Sequence, residues 1–203
     1  MVFESILSTM NPEGDTHFAP IGIILPDSPE SPEKIRQLKF KLFAGSCTYE
    51  NLRALGEGVV NLTDNLLYFT SQSLRGRCKS IQSEKVRPHR LADACRVWEF
   101  SVKSFGAAHD PVTVIGEVLR YEELGGFSGL CRAHGAVLEA AVAVSRSHFL
   151  PKQVIESKWA TWQEIVNKTG GQQEKAAFEM LTEDLVEKGF ELEENIDTFR
   201  GRS

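Results

Sequence analysis

Hydrophobic and polar positions alternate in short stretches over the first part of the chain and then change period. Leu38, Phe40 and Leu42 alternate with Lys39 and Lys41, the signature of a strand with one buried face. Residues 2–9 and Thr16–Leu25 read as two strands, and the turn-forming run Asn11-Pro12-Glu13-Gly14-Asp15 between them makes the pair a hairpin. Further strands are predicted over Glu57–Leu62, Ala94–Phe105 and Pro111–Tyr121. Asn65–Leu74, opened by Asp64, fits either helix or strand and is assigned to helix. The strands are short, with turn-rich joints and almost no helix between them, so the pattern favours an antiparallel sheet or small barrel over a doubly wound α/β fold.

From Leu124-Gly125-Gly126-Phe127 onward the period becomes helical. Ser128–Leu150 carries Leu130, Ala133, Val137, Ala140 and Val144 at spacings of three and four, and Pro151 stops it. The next helix places Ile155, Trp159, Trp162 and Val166 on one face and ends at Thr169-Gly170-Gly171. A third turns Ala177, Met180, Leu181 and Leu185 inward and stops at Gly189. The chain therefore reads as α+β, mainly β: a β-barrel part over 1–123, a helical part over 124–190 and a frayed acidic tail over 191–203. The tryptophan face needs a cover, which the barrel or a second subunit would supply.

Composition narrows the function classes. The 203 residues are 41% hydrophobic and 25% charged, as in ordinary globular proteins, and the net charge of −5 argues against a general nucleic-acid binder. No apolar run is long enough to span a membrane, and the first residues lack a signal-peptide pattern. Cys47, Cys78, Cys95 and Cys131 are irregularly spaced with no C-x-x-C pair, which fits a reducing cytoplasm and disfavours a zinc site. His17, His89, His109, His134 and His148 also lack ligand spacing, so no metal is expected.

Candidate chemistry concentrates between Leu38 and Gly56. After the alternating strand, Ala44 and Gly45 permit a tight turn. Ser46 and Thr48, flanking Cys47, offer hydroxyl caps to a helix that Gly56 ends. Free N–H groups and partial positive charge at such a helix start make an anion cradle, although most hydroxyl-capped helices bind nothing. Pro20 and Gly22 interrupt a strand, marking either a plain edge or a place where Ala19–Gly22 offers backbone to a flat ligand. Arg75–Arg90 gathers Arg75, Arg77, Lys79, Lys85, Arg87 and Arg90 against Glu84. It reads as a mobile connecting loop whose charges are solvated, or as one that swings an arginine onto an anion.

Several strings together resemble a family of uncharacterised archaeal and bacterial flavoproteins with the FMN-binding split-barrel fold. They are Ser8–Gly22, Phe43–Leu52, Val60–Asn65, His134–Ala141, and Lys168–Gly171 with Glu174–Phe178. The resemblance covers nearly the whole chain. It implies a six-stranded antiparallel split barrel with a C-terminal helical subdomain, homodimeric, with FMN at the dimer interface and oxidoreductase or flavin-reductase activity on a small-molecule substrate. The family's Thr-x-x-Asn phosphate unit falls on Thr48 and Asn51, preceded by Ser46. Phe43, Ala44 and Gly45, with Ala19, Pro20, Ile21 and Gly22, would face the isoalloxazine ring, and His17 would lie near it. Some relatives carry a lysine before the threonine where this chain has Cys47, so Lys41, Arg53 or an arginine of the 75–90 loop would supply the counter-charge. Cys47 is either a small packing residue or a reactive thiol at a helix start. The competing readings are a non-catalytic flavin carrier, and a barrel holding deazaflavin or haem.

Overall fold

The computed structural model describes residues 2–25, 31–70, 78–107, 110–126 and 131–192. Their contacts divide into two units, one of residues 1–64 and 72–127, the other of residues 65–71 and 128–203.

The first unit is a closed six-stranded antiparallel barrel. Its strands are β1 (Val2–Met10), β2 (Thr16–Ile24), β3 (Gln37–Leu42), β4 (Glu57–Leu62), β7 (Arg96–Phe105) and β8 (Val112–Glu123), in the order β1-β2-β3-β8-β7-β4. A two-stranded ribbon, β5 (Ser80–Ile81) and β6 (Arg90–Leu91), lies between β4 and β7 in sequence, and the helix α1 (Cys47–Leu55) follows β3. The alternation in β3 is realised as expected: Leu38, Phe40 and Leu42 are buried while Gln37, Lys39 and Lys41 are exposed. Phe40 meets Phe100 edge to face, ring centroids 5.5 Å apart. The Phe100 ring occupies room left by two glycines, since a Cβ on Gly58 or Gly116 would lie 2.6 or 2.5 Å from it.

The expected α+β fold, a six-stranded antiparallel barrel with a C-terminal helical part, is what the structure shows. Two expectations are corrected. Strands β7 and β8 run for 10 and 12 residues rather than being short, and their ladder absorbs two register shifts. The described part of the basic segment, 78–90, is tied down rather than free. Glu99, fully buried on β7, accepts the backbone N–H groups of Glu84 (3.1 Å) and Lys85 (2.5 Å). Arg120 bridges Glu84 and Glu122 beside it. Buried Asn61 joins three elements: its Nδ2 donates to Ile6 O on β1 at 2.9 Å, and its Oδ1 accepts from Leu91 N on β6 at 2.8 Å. Arg75, Arg77, His109, the 26–30 stretch and the tail from 193 lie outside the described residues.

The second unit comprises α2 (Leu67–Thr70), α3 (Arg132–Ser145), α4 (Lys152–Thr169) and α5 (Gln172–Glu187). Its core joins Ala133, Val137 and Ala140 of α3, Ile155 and Trp159 of α4, and Phe178, Leu181 and Leu185 of α5. Trp159 stacks on Phe178 with centroids 4.7 Å apart and meets Trp162 edge to face. Trp159 is thus covered inside its own unit, while Trp162 stays half-buried. Met180, expected inward, is half-buried beside the Thr70 hydroxyl. The short segment at 65–71 also belongs here: Leu66 is buried in the helical core, and Asn65 Oδ1 accepts from Gln173 Nε2 at 2.6 Å.

Candidate functional site

The barrel wall has a seam. The β1–β2 ladder runs the whole strand, from Val2–Ile24 to Met10–Thr16, whereas β2 pairs with β3 only at Ile23–Phe40 and Ile24–Lys39. Beyond that point the two strands part, leaving Thr16–Gly22 paired along one edge only. Continuing the register would set Gly22 opposite Lys41 and Ala19 opposite Ala44. The two stretches singled out from sequence therefore lie on the same side of the last β2–β3 pair, one on each strand. Pro20, which has no N–H, is tolerated because this edge has no ladder to serve, and it is exposed. Ala19, Ile21 and Gly22 are half-buried along the same edge, and His17, further along, stands across from Thr9.

The other lip of the seam runs from the end of β3 into α1. Phe43 is 66% exposed where the strand stops. Gly45 adopts φ +79°, the left-handed region that favours glycine, and Ser46 N donates to Phe43 O at 3.1 Å to close the turn. Ser46 is the N-cap: its Oγ accepts from Tyr49 N at 3.3 Å and its carbonyl accepts from Glu50 N at 3.0 Å. Gly56 ends the helix at φ +67°. The N–H groups of Cys47 and Thr48 have no hydrogen-bond partner among the described residues, and they sit at the positive end of the helix.

The remaining site residues divide. Cys47 is exposed. Thr48 and Asn51 are buried, and Asn51 Nδ2 donates to Thr9 Oγ1 at 3.1 Å while lying 3.8 Å from Cys47 Sγ. Asn51 thus pins α1 to β1. The Ala44 N–H is also committed, donating to Asp110 Oδ1 at 3.0 Å. Thr9 and Asp110 escape sequence reasoning because their partners are 42 and 66 residues away, with no local signal for either contact.

Among the cations considered as a counter-charge, Lys41 is exposed on β3. Arg53 lies in the last turn of α1, its guanidinium 6.0 Å from the ring centroid of Tyr49 in the first turn and 5.7 Å from that of Phe105. Arg87 Nε donates to Glu57 Oε2 at 3.0 Å, and Arg90 donates to Leu91 O at 3.1 Å. Burial alone would raise the Glu57 pKa; the hydrogen bonds and charge of Arg87 outweigh it and hold the carboxyl below the usual range. No group of three or more His, Cys, Asp or Glu among the described residues is arranged to hold a metal, and no described helix is long and apolar enough to cross a membrane.

A closed six-stranded barrel with one unzipped seam, and a capped helix leaving from its lip, defines a split-barrel protein. Residues 3–124 match the family described as "Protein of unknown function (DUF447) N-terminal domain", and residues 131–183 match its companion, "Protein of unknown function (DUF447)". The chain belongs to this family. Among solved structures it is similar to an FMN-bound protein of the same family from Methanosarcina mazei, with 20% identity and a TM-score of 0.72. That match covers 90% of this chain and 94% of the other. It is also similar to nitrilotriacetate monooxygenase component B from Mycobacterium thermoresistibile, with 15% identity, a TM-score of 0.51, and coverage of 63% and 72%. At these identities the likeness establishes the fold.

Proposed function

We propose that the chain binds FMN across the β2–β3 seam and works as a flavin-dependent oxidoreductase of the flavin-reductase kind. The observation that carries this reading is the pairing of an open seam with two amides, those of Cys47 and Thr48, that have no partner among the described residues, at the start of a helix on its lip. The small residues Ala44, Gly45 and Ser46 leave room for close approach by a phosphate, and the hydroxyls of Ser46 and Thr48 add donors. The FMN-bound relative in the same family supports the choice of ligand. A bound flavin supplies hydride and electron transfer. This chain's residues would supply the rest: the turn takes the phosphate, Asn51 holds the helix at its angle, and Ala19–Gly22 with Phe43–Gly45 flank the ring. We also read the assembly as a homodimer.

The test compares FMN with riboflavin, which shares the ring and lacks the phosphate. Replacing Ser46 and Thr48 together by Ala should weaken FMN binding about tenfold or more, given ~1.5–3 kcal/mol per hydrogen bond to a charged group, and should change riboflavin binding little. Equal losses for both ligands would refute the phosphate turn. The spectrum of the purified protein checks the cofactor, since a Soret band would point to haem. Bleaching of bound FMN by NADH or NADPH supports the oxidoreductase, and its absence with any nicotinamide donor favours a carrier. Light scattering reads the oligomer.

A further inference from the structure

Asp110 belongs to the connection between β7 and β8, far in sequence from the turn at 43–46, yet its carboxylate accepts the Ala44 N–H at 3.0 Å. That single contact joins two features. It fixes the backbone of the lip two residues before the N-cap, and it brings a full negative charge near the place where Cys47 and Thr48 present amides with no partner among the described residues. Three Cα steps of ~3.8 Å separate Ala44 from Cys47, and a hydrogen bond at either end adds ~3 Å, so the carboxylate lies within about 17 Å of any anion on those amides. Building the lip alone would not require a charge there, because a neutral carbonyl oxygen can also accept that N–H.

We propose that Asp110 is a positioning residue for the flavin turn and also a determinant of ligand specificity: its hydrogen bond shapes the lip for every flavin, and its charge selectively weakens binding of those that carry a phosphate. The proposal rests on the phosphate reading given above. Asp110 narrows the preference for FMN over riboflavin and favours release of the phosphorylated ligand.

Two substitutions separate the two roles. D110N keeps an acceptor for Ala44 N and removes the charge. For a dianion roughly 10–17 Å away in a water-like dielectric, the relief corresponds to FMN binding about two- to fourfold tighter. The gain should largely vanish in 1 M salt, where charges are screened beyond ~3 Å. Riboflavin affinity should not move. D110A loses the acceptor as well, so both ligands should bind more weakly to it than to D110N, by similar factors. Titrations of FMN and riboflavin against all three proteins, followed by flavin fluorescence at low and high salt, give the result. The proposal is overturned if D110N shifts FMN and riboflavin alike, shifts neither, or gives an FMN gain indifferent to salt. The Ser46/Thr48 double substitution in the same assay keeps the two ideas apart. If it weakens FMN selectively while D110N is inert, the turn stands and the role of Asp110 falls. If it does not discriminate between the ligands, the phosphate reading itself falls.

Discussion

Replacing Glu99 by Ala is the sharpest test of how the basic segment is held. The carboxylate is fully buried, and its two oxygens accept the N–H groups of Glu84 at 3.1 Å and Lys85 at 2.5 Å. Arg120 Nη1 is 3.7 Å from Oε1, so the charge is also partly matched. Hydrogen bonds to a charged group contribute about 1.5–3 kcal/mol each, and removing the acceptor leaves its donors to find water. Two such bonds set the loss at about 3–6 kcal/mol, a large part of the ~5–15 kcal/mol that holds a typical domain together. Glu99→Gln keeps one acceptor oxygen and turns an NH2 group on the other amide, so it should lose at least half as much. Urea unfolding followed by tryptophan fluorescence gives the stability, and amide exchange at Glu84 and Lys85 reports the two bonds. A loss under about 0.5 kcal/mol for E99A, or unchanged exchange at both amides, would show that the segment rests on the barrel without this anchor.

Three other outcomes follow from the packing and the charges. Gly116→Ala sets a methyl 2.5 Å from Phe100 Cδ2 and should cost about 1–3 kcal/mol in denaturant titration, with part regained when Phe100→Leu is added. No recovery in the double variant would mean that the clash is not with that ring. Trp159→Ala removes a 1% exposed indole stacked on Phe178 and should cost about 3–5 kcal/mol, well beyond the loss from the half-buried Trp162; equal losses would place the two indoles in equivalent roles. Glu57 has a lowered pKa in the folded state, so it adds stability above the ordinary glutamate value near ~4.3 that is lost as pH falls through the lower folded value. Melting temperature measured from neutral to acid pH should therefore fall less steeply in E57Q, and parallel curves would contradict the sign.

Local patterns reached the elements because each carries its own signal. The 2-residue period of β3, the Ser46 cap with its Gly56 stop, and the proline-glycine interruption in β2 are all written within a few residues of where they act. Their assignment to one site rests on likeness to a family, since nothing local relates Ala19 to Ala44. What escaped was long-range. Glu99 sits in an ordinary strand pattern, and its partners lie 14 and 15 residues away in a loop whose charges suggested solvent. The stacking of Phe178 on Trp159 has no local signal, because it depends on how α5 folds back. The predicted ranges of β7 and β8 hold to within two residues at each end, since a long ladder keeps pairing where side chains such as Lys103 face water.

The stretch around Leu66 has a consequence for inheritance. Its side chain completes a hydrophobic centre whose other members lie beyond position 130, yet it is encoded between two staves of the barrel. A gene fragment ending near 126 would leave an orphaned greasy residue, and one starting near 131 would lack a piece of its own interior. Neither half is a cassette that recombination could move intact, so a lineage that keeps one is pressed to keep the other.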